Sequence, residues 1–350
     1  MGGPVPVTTA KAQTGSIGVY LNAIGTVTPV YTASITTQVT GVITAVHYHE
    51  GQSVRKGDPL IDIDPRQYEA QVQQAEGLLE RDKSLLAEAQ MDLERYKQAW
   101  SKNAIPRQTL EDQEKVVLQD QGTVKNDEGT VAYDKVQLSY CHITSPINGR
   151  VGLRLVDPGN LVTANSTTTL VVVTQIQPIT VIFTVSEDDL GQVLQNQRGG
   201  KQLTVDAYDR TQEKLLSTGK LTTVDNQIDT TSGTVKLRAQ FDNKGGTLFP
   251  NQFVNTRLLV STLNNQTLIP SSAIQHNGNQ DFVFLLENGK AQMRTVKPGQ
   301  SDHGDTAVQG VNPGDVVANS SFEKLQNGAS VTISKVQLPA ASDSPENNVP

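Results

Sequence analysis

The chain has 350 residues, a formal net charge of -7 and one cysteine, and 36% of its residues are hydrophobic. That length gives room for two or three domains, and 28 Gly with 16 Pro suits a β-rich modular protein joined by turns better than one thick α/β core. An acidic balance without a basic cluster excludes an electrostatic footprint for nucleic acid, and the lone Cys141 excludes an intramolecular disulfide and a cysteine-based metal site.

No stretch approaches the ~18 apolar residues of a helical membrane span. Met1-Gly2-Gly3-Pro4 lacks the charged start and apolar run of a signal peptide, which predicts either a cytosolic protein or an export segment outside this sequence. Cys141 directly follows Tyr140 and is expected to be a packed small apolar residue rather than a nucleophile.

From Val5 to Thr32 the chain alternates apolar and polar residues around Gly15, Gly18, Gly25 and Pro29, predicting two short strands. In Ser34 to Asp64, Val42, Thr44, Val46 and Tyr48 are expected on one strand face, with turns at Glu50-Gly51 and Lys56-Gly57-Asp58-Pro59.

Two helical patterns then run back to back. The first is Tyr68, Val72, Ala75, Leu79, Asp82, Leu86, Ala89, Leu93, Tyr96 and Trp100, alternating steps of four and three with only Asp82 polar. Such a seam predicts a heptad repeat and a left-handed supercoil. After a break at Lys102 to Pro106, Leu110, Val117, Val124, Val131 and Leu138 recur at every seventh position. A helix from Arg66 to Ser101 would be about 54 Å long at ~1.5 Å per residue. Buried bundle helices carry about three or four apolar positions per two turns. These stripes are narrower and rimmed by Gln, Glu, Asp and Lys, so they predict a solvent-exposed two-helix hairpin. A hairpin raised on a small β-platform leaves little room for an active site and points to docking.

Beyond the hairpin, Ile143 to Gln175 repeats the first β-segment: Gly41, Gly51 and Val54 recur as Gly149, Gly159 and Val162 at the same spacings. Two such halves are the pattern of a lipoyl- or biotinyl-type flattened barrel with the hairpin inserted at its centre. A covalent carrier needs a lysine at that central turn, where this chain has Asp64-Pro65 and no lysine between Gly57 and Lys83. The swinging-arm reading is therefore set aside.

From Pro178 the pattern changes. Ile179 to Val185 predicts a strand, and Ser186-Glu187-Asp188-Asp189 predicts a capping box opening a short helix to about Gln197. Val235, Leu237, Ala239 and Phe241 alternate against Lys236, Arg238 and Gln240, so Leu203 to Leu263 reads as strands of a small β-barrel with one helix. Leu268 to Ser334 is strand and turn, with hairpin signals at Asn277-Gly278, Asn288-Gly289 and Pro313-Gly314. The tail from Val336 to Pro350 lacks Lys, Arg and aromatics and is predicted to be disordered.

Candidate chemistry is thin. His47 and His49, two apart, could face one side as a metal pair, but without a third ligand they read as a solvated strand face. Met1, Met91 and Met293 do not cluster. Asp229, Thr230 and Thr231 before Gly233 read as a turn cap. With no phosphate-cradling loop, nucleophile elbow or metalloprotease helix, we assign no catalytic residue, no cofactor and no metal.

Four stretches, "VTGVITAVHYHEGQSVRKGDPLIDIDPRQYEA", "LSYCHITSPINGRVG", "DNQIDTTSGTVKLRAQFDNKGGTLFPNQFV" and "LIPSSAIQHNGNQDFVFLLENGKAQMRTVKPG", resemble the AcrA/HlyD-like periplasmic adaptor (membrane fusion protein) family of tripartite efflux pumps. The resemblance covers about Val5 to Ser334. It implies a mainly β multidomain protein with an inserted coiled-coil hairpin. The expected parts are a membrane-proximal β domain (5–33 and 263–335), a split lipoyl-like domain (34–64 and 143–174), the hairpin (65–142) and a β-barrel domain (175–262). It also implies a periplasmic location, an inner-membrane anchor through an N-terminal segment outside this chain, and self-association into a trimer or hexamer. The implied partners are an inner-membrane RND transporter driven by protons and a TolC-like outer-membrane channel. An adaptor of an ABC exporter or type I secretion system is the alternative within the family, although secretion adaptors tend to have much longer hairpins.

By the same resemblance the hairpin tip contacts the channel. Relatives of AcrA show there an Arg, a Leu four residues on and a Ser seven further. Arg95 matches, while Ala99 and Pro106 replace the Leu and the Ser. The candidate contacts are Arg95, Trp100, Ala104, Ile105, Pro106, Arg107 and Leu110, since an exposed Arg beside a short apolar tip can grip a groove between facing helices.

Overall fold

The computed structural model describes residues 4–334 apart from 199, 201 and 279. The tail expected to be disordered, 336–350, lies outside the described residues. In chain order the elements begin with β1 (Val5–Val7), β2 (Thr9–Lys11), β3 (Gln13–Pro29), β4 (Thr32–Ile35), β5 (Gly41–Val46), β6 (Ser53–Val54) and β7 (Pro59–Ile63). Helices α1 (Arg66–Ser101) and α2 (Arg107–Ser139) follow, then β8 (His142–Thr144), β9 (Gly149–Val151), β10 (Leu161–Val162), β11 (Val171–Thr174) and β12 (Ile179–Ser186). After α3 (Glu187–Arg198) come β13 (Thr204–Tyr208), β14 (Leu215–Asp229), β15 (Thr234–Phe241), β16 (Phe253–Pro270) and β17 (Gln275–Asn277). The last are β18 (Gln280–Glu287), β19 (Lys290–Asp302), β20 (Asp305–Gln309), β21 (Val316–Ala318) and β22 (Val331–Ile333). The protein is mainly β, with the long helical hairpin the sequence predicts.

Two compact units divide the chain: Thr28–Thr180 with Asp242–Pro250 form one, and the chain up to Val27, Val181–Phe241 and the chain from Asn251 form the other. In the first, two four-stranded sheets run β10-β5-β7-β8 and β4-β11-β9-β6. Each sheet draws strands from both halves of the sequence repeat. Leu161 and Val162 pair with Val42 and Gly41, and at the equivalent positions Ser53 and Val54 pair with Arg150 and Gly149. The repeated turn glycines follow the same symmetry: Gly51 N donates to Val151 O at 3.0 Å and Gly159 N donates to Ile43 O at 2.8 Å. Both have positive φ, 74° and 93°, which a side chain would strain.

Between the sheets Ile43, Leu60, Ile61, Ile63, Leu170, Val171 and Val173 are buried together with Cys141. Burying each large aliphatic side chain contributes roughly 1.5–3 kcal/mol, so this small core fixes the platform from which the hairpin grows. The expected common face of Val42, Thr44, Val46 and Tyr48 is corrected by β5. Ile43 is the buried residue, Val42 and Thr44 are exposed, and Tyr48 is buried beyond the strand end. An irregularity in the register between Ile43 and Ala45 adds a residue and flips the alternation.

In the second unit β3 and β16 pair antiparallel from Thr26 with Phe253 to Gln13 with Leu268. They form the spine of a twelve-stranded sheet. Two short strands were expected from Val5 to Thr32; instead β3 alone has 17 residues. Its glycines are sites of close approach rather than turns, since a Cβ at Gly25 would stand 2.6 Å from Val181 Cγ1. The alternation of β15 is buried as expected, with Val235, Leu237, Ala239 and Phe241 inside. Ser186 Oγ accepts from Asp188 N at 3.3 Å, starting α3 where predicted.

Two of the three hairpin signals mark hairpins. β17 and β18 pair with Asn277 opposite Gln280, and Asn288-Gly289 turns with φ of 51° and 74° between Glu287 and its partner Lys290. Pro313-Gly314 does not form one. It joins β20 to β21, which are not neighbours in the sheet. The hairpin between β19 and β20 turns instead at His303-Gly304, where a histidine takes φ of 50° in place of the usual Asn or Asp.

Candidate functional site

α1 has 36 residues and α2 has 33, joined by Lys102 to Pro106. Only a narrow seam is buried: Val72, Ala75, Asp82 and Ala89 on α1, and Val117, Val124 and Val131 on α2. The central residues of the seven-residue repeat on α2 therefore do what their spacing predicts. Two ion pairs cross the helices, Lys135 to Glu76 at 2.7 Å and Lys83 to Glu128 at 3.2 Å. Being half-exposed, they are worth at most ~1 kcal/mol each and act mainly on register.

The root is tied to the platform by polar contacts. The Tyr68 hydroxyl accepts from Thr40 N and donates to Thr40 O, so the first seam residue of the sequence pattern is an anchor at the base. Asp62 on β7 meets His142, which follows α2, at 2.8 Å and His47 at 2.6 Å. Burial works to raise the Asp62 carboxyl, but the hydrogen bonds from His142 and His47 outweigh it and hold the group below its usual range. Sequence reading missed this clamp because its members lie far apart in the chain and only strand pairing brings them together. It also corrects the His47 and His49 pairing: His47 lies beyond the end of β5 and is engaged by Asp62.

Cys141 is fully buried at the root, and burial, with Asp64 and Glu69 nearby, pushes its thiol up to about 11. A thiol that stays protonated and enclosed is unreactive. Native protein at neutral pH is expected to resist a thiol-alkylating reagent, whereas protein in urea is labelled; labelling at equal rates in both would show the root to be open.

At the far end α1 terminates in a closed cap. Asn103 takes φ of 56°, its N–H donates to Trp100 O at 2.8 Å, and Ala104 N donates to Ala99 O at 2.9 Å. This is a Schellman arrangement with Asn as the left-handed residue. Pro106 then sets an extended backbone at the start of α2, with φ -66° and ψ 150°. The tip is thus a fixed turn in which Asn103 stops one helix and Pro106 starts the next.

The structure brings most of the candidate contacts together. Trp100 is 46% exposed, Ala104 and Pro106 are exposed, Ile105 is half-buried, and Arg107 projects from the first turn of α2. Arg95 sits about 9 Å down α1 from Ser101 at ~1.5 Å per residue, and Leu110 is a half-buried seam residue. Both arginines are steered by acids on their own helix, Arg95 by Asp92 at 2.9 Å and Arg107 by Glu111 at 2.7 Å. Those acids were absent from the sequence reading, although their spacings of three and four were there to be read.

Residues 31–174 match the family model described as RND MFP, barrel-sandwich hybrid domain, and residues 178–262 match that of RND MFPs, beta-barrel domain. The multidrug resistance protein MdtA of Cronobacter turicensis is 42% identical over 345 residues, covering 98% of this chain and 83% of that protein. This chain belongs to the RND membrane fusion proteins. It is a periplasmic adaptor of RND-type efflux, and the secretion-adaptor alternative is not favoured.

Solved membrane fusion proteins share the fold. A MacA-MexA chimera carrying the Pseudomonas aeruginosa MexA α-hairpin is 25% identical with a TM-score of 0.55, covering 87% of this chain and 97% of that one. MacA from Actinobacillus actinomycetemcomitans gives a TM-score of 0.51 at 20% identity, covering 89% and 99%. The RND membrane fusion proteins are adaptors rather than catalysts. No helix among the described residues is long and apolar enough to cross a membrane.

Proposed function

We propose that this RND membrane fusion protein bridges an inner-membrane, proton-driven RND transporter and a TolC-like outer-membrane channel for multidrug efflux, without chemistry of its own. The reading rests above all on one observation, a 36-residue helix paired along a narrow seam and closed by a fixed tip bearing exposed Trp100 and Arg107. The relatives named for multidrug resistance support the cargo class. In this reading the protein works in the periplasm, attached to the inner membrane on its N-terminal side, as a trimer or hexamer. Its working parts follow the four-domain division at 5–33 with 263–335, 34–64 with 143–174, 65–142 and 175–262.

The tip makes the channel contact. A guanidinium offers a planar fork that fits carboxylates and helix-end carbonyls in a groove, and Trp100 and Ile105 supply apolar surface beside it. Charge reversal Arg107→Glu should weaken in-cell crosslinking to the channel roughly tenfold, while Lys290→Glu on β19 should leave it unchanged. Equal yields from the two variants would remove Arg107 from the interface.

A further inference from the structure

In the second unit the pairing of β13 with β16 closes β13, β14, β15, β12, β3 and β16 into a barrel, and it also builds a pocket on the barrel's outer face. On β16, Asn255 and Arg257 point outward, while Thr256 between them is 1% exposed. Arg257 is flanked by Asn22 of β3 and Asp206 of β13, and Asn255 is flanked by Ile24 and Tyr208. Residues directly opposite one another across antiparallel strands share a face, so these side chains stand together in two rows.

The connection from β13 to β14, residues 209–214, rises beside them as a wall. Asp209 Oδ1 accepts from Thr211 Oγ1 at 3.0 Å and from Glu213 N at 3.1 Å, and Asn255 Nδ2 donates to Asp209 O at 2.7 Å. These bonds hold Gln212 at a φ of 62°, a left-handed conformation that a non-glycine residue keeps only when its surroundings impose it. The wall and the two rows enclose about 460 Å³, within the ~300–1,000 Å³ of small-molecule sites.

The floor is Arg257. Its guanidinium lies over the Tyr20 ring, 4.2 Å from the centroid, and its Nη2 donates to Asp302 Oδ1 at 2.8 Å. One face and one edge are thus committed, and Asp302, whose side chain is 12% exposed, compensates the charge. The Tyr20 phenol is pushed up by burial and by Asp302 and Asp206, against the pull of Arg257, so the local field does not favour an anion. A cation is opposed by the guanidinium itself. What remains is a flat, charge-compensated platform, and guanidinium planes stack on aromatic rings. At the rim the side-chain amides of Asn22 and Gln212 have no hydrogen-bond partner among the described residues, and Ile24, 70% exposed, adds apolar surface.

We propose that this pocket binds an uncharged planar aromatic molecule bearing a carbonyl or amide group. The ring stacks on Arg257, and the polar group meets the amides of Asn22 and Gln212. The chain then holds a ligand of its own, apart from the hairpin. Binding is read on the isolated protein, so its failure leaves the bridging role untouched.

Titration of naphthamide with the full chain, followed by ligand-observed NMR, tests this. Saturable binding with a Kd of about 1 mM or tighter is expected for a ligand of this size. Naphthoate and naphthylmethylamine, which carry a charge, and the fully saturated carboxamide, which lacks the ring plane, should each bind at least about tenfold more weakly. Arg257→Lys keeps a cation beside Asp302 but loses the plane, and should weaken naphthamide binding about tenfold or more. Gln212→Gly and Ile24→Ser alter only exposed rim side chains and should each weaken it roughly threefold or more. Phe253→Ser, at an exposed residue outside the pocket, should leave the Kd unchanged. Absence of saturable binding, equal or tighter binding of naphthoate, or an unchanged Kd in the two rim variants would overturn the proposal. If Arg257→Lys does not fold, the rim variants and the ligand series decide.

Discussion

Removing one heptad from each arm, Leu86 to Asp92 from α1 and Leu118 to Val124 from α2, is expected to abolish drug resistance while the protein still folds. A deletion of one full heptad keeps each seam in phase. On α1, Leu93 moves into the place of Leu86 after Asp82, and the outward-facing Leu85 keeps its exposed position. On α2, Val131 follows Val117 at the proper spacing. The rod loses about 10 Å of reach at ~1.5 Å per residue. A bridge between two membranes cannot make up that distance by side-chain adjustment, so the tip fails to arrive. The measurement is growth in drug of a strain carrying only the shortened protein, with circular dichroism to confirm that it folds. Wild-type resistance would contradict the bridging role.

Leu60→Ala should cost ~2–5 kcal/mol of stability, the range for truncating a fully enclosed leucine. Leu60 is 0% exposed and packs in the core shared by both halves of the sequence repeat. Thermal or urea unfolding of the full chain would read the loss. The same truncation at Leu263, which is 39% exposed, should cost much less. Equal destabilisation by the two would mean that the small core between the sheets does not control folding.

The hairpin was legible because its information is local. Heptad spacing depends only on residues three, four and seven apart, and the helix bounds Arg66 to Ser101 are those the pattern predicts. The lipoyl-like halves were legible because Gly41, Gly51 and Val54 recur in order, and the positive φ of Gly51 and Gly159 gives the turn glycines their reason. Glycine misled in β3, where it marks close packing against Val181 rather than a turn. The alternation in β5 misled because one extra residue moves every later side chain to the other face.

At the tip, the sequence showed the break at Lys102 to Pro106 and the exposed candidates around it. It did not show that Asp92 and Glu111 steer the two arginines.

Spacing and identity along the chain were enough to establish the order of parts, the length of the rod, its seam, and the family to which the chain belongs. Contacts between distant segments came from the folded chain alone: the pairing of β10 with β5 and of β6 with β9, the Asp62 clamp on His47 and His142, and the anchoring of Tyr68 on Thr40. Each depends on strand or helix pairing that brings together residues far apart in sequence, and burial then gives those polar groups energies that no local pattern encodes.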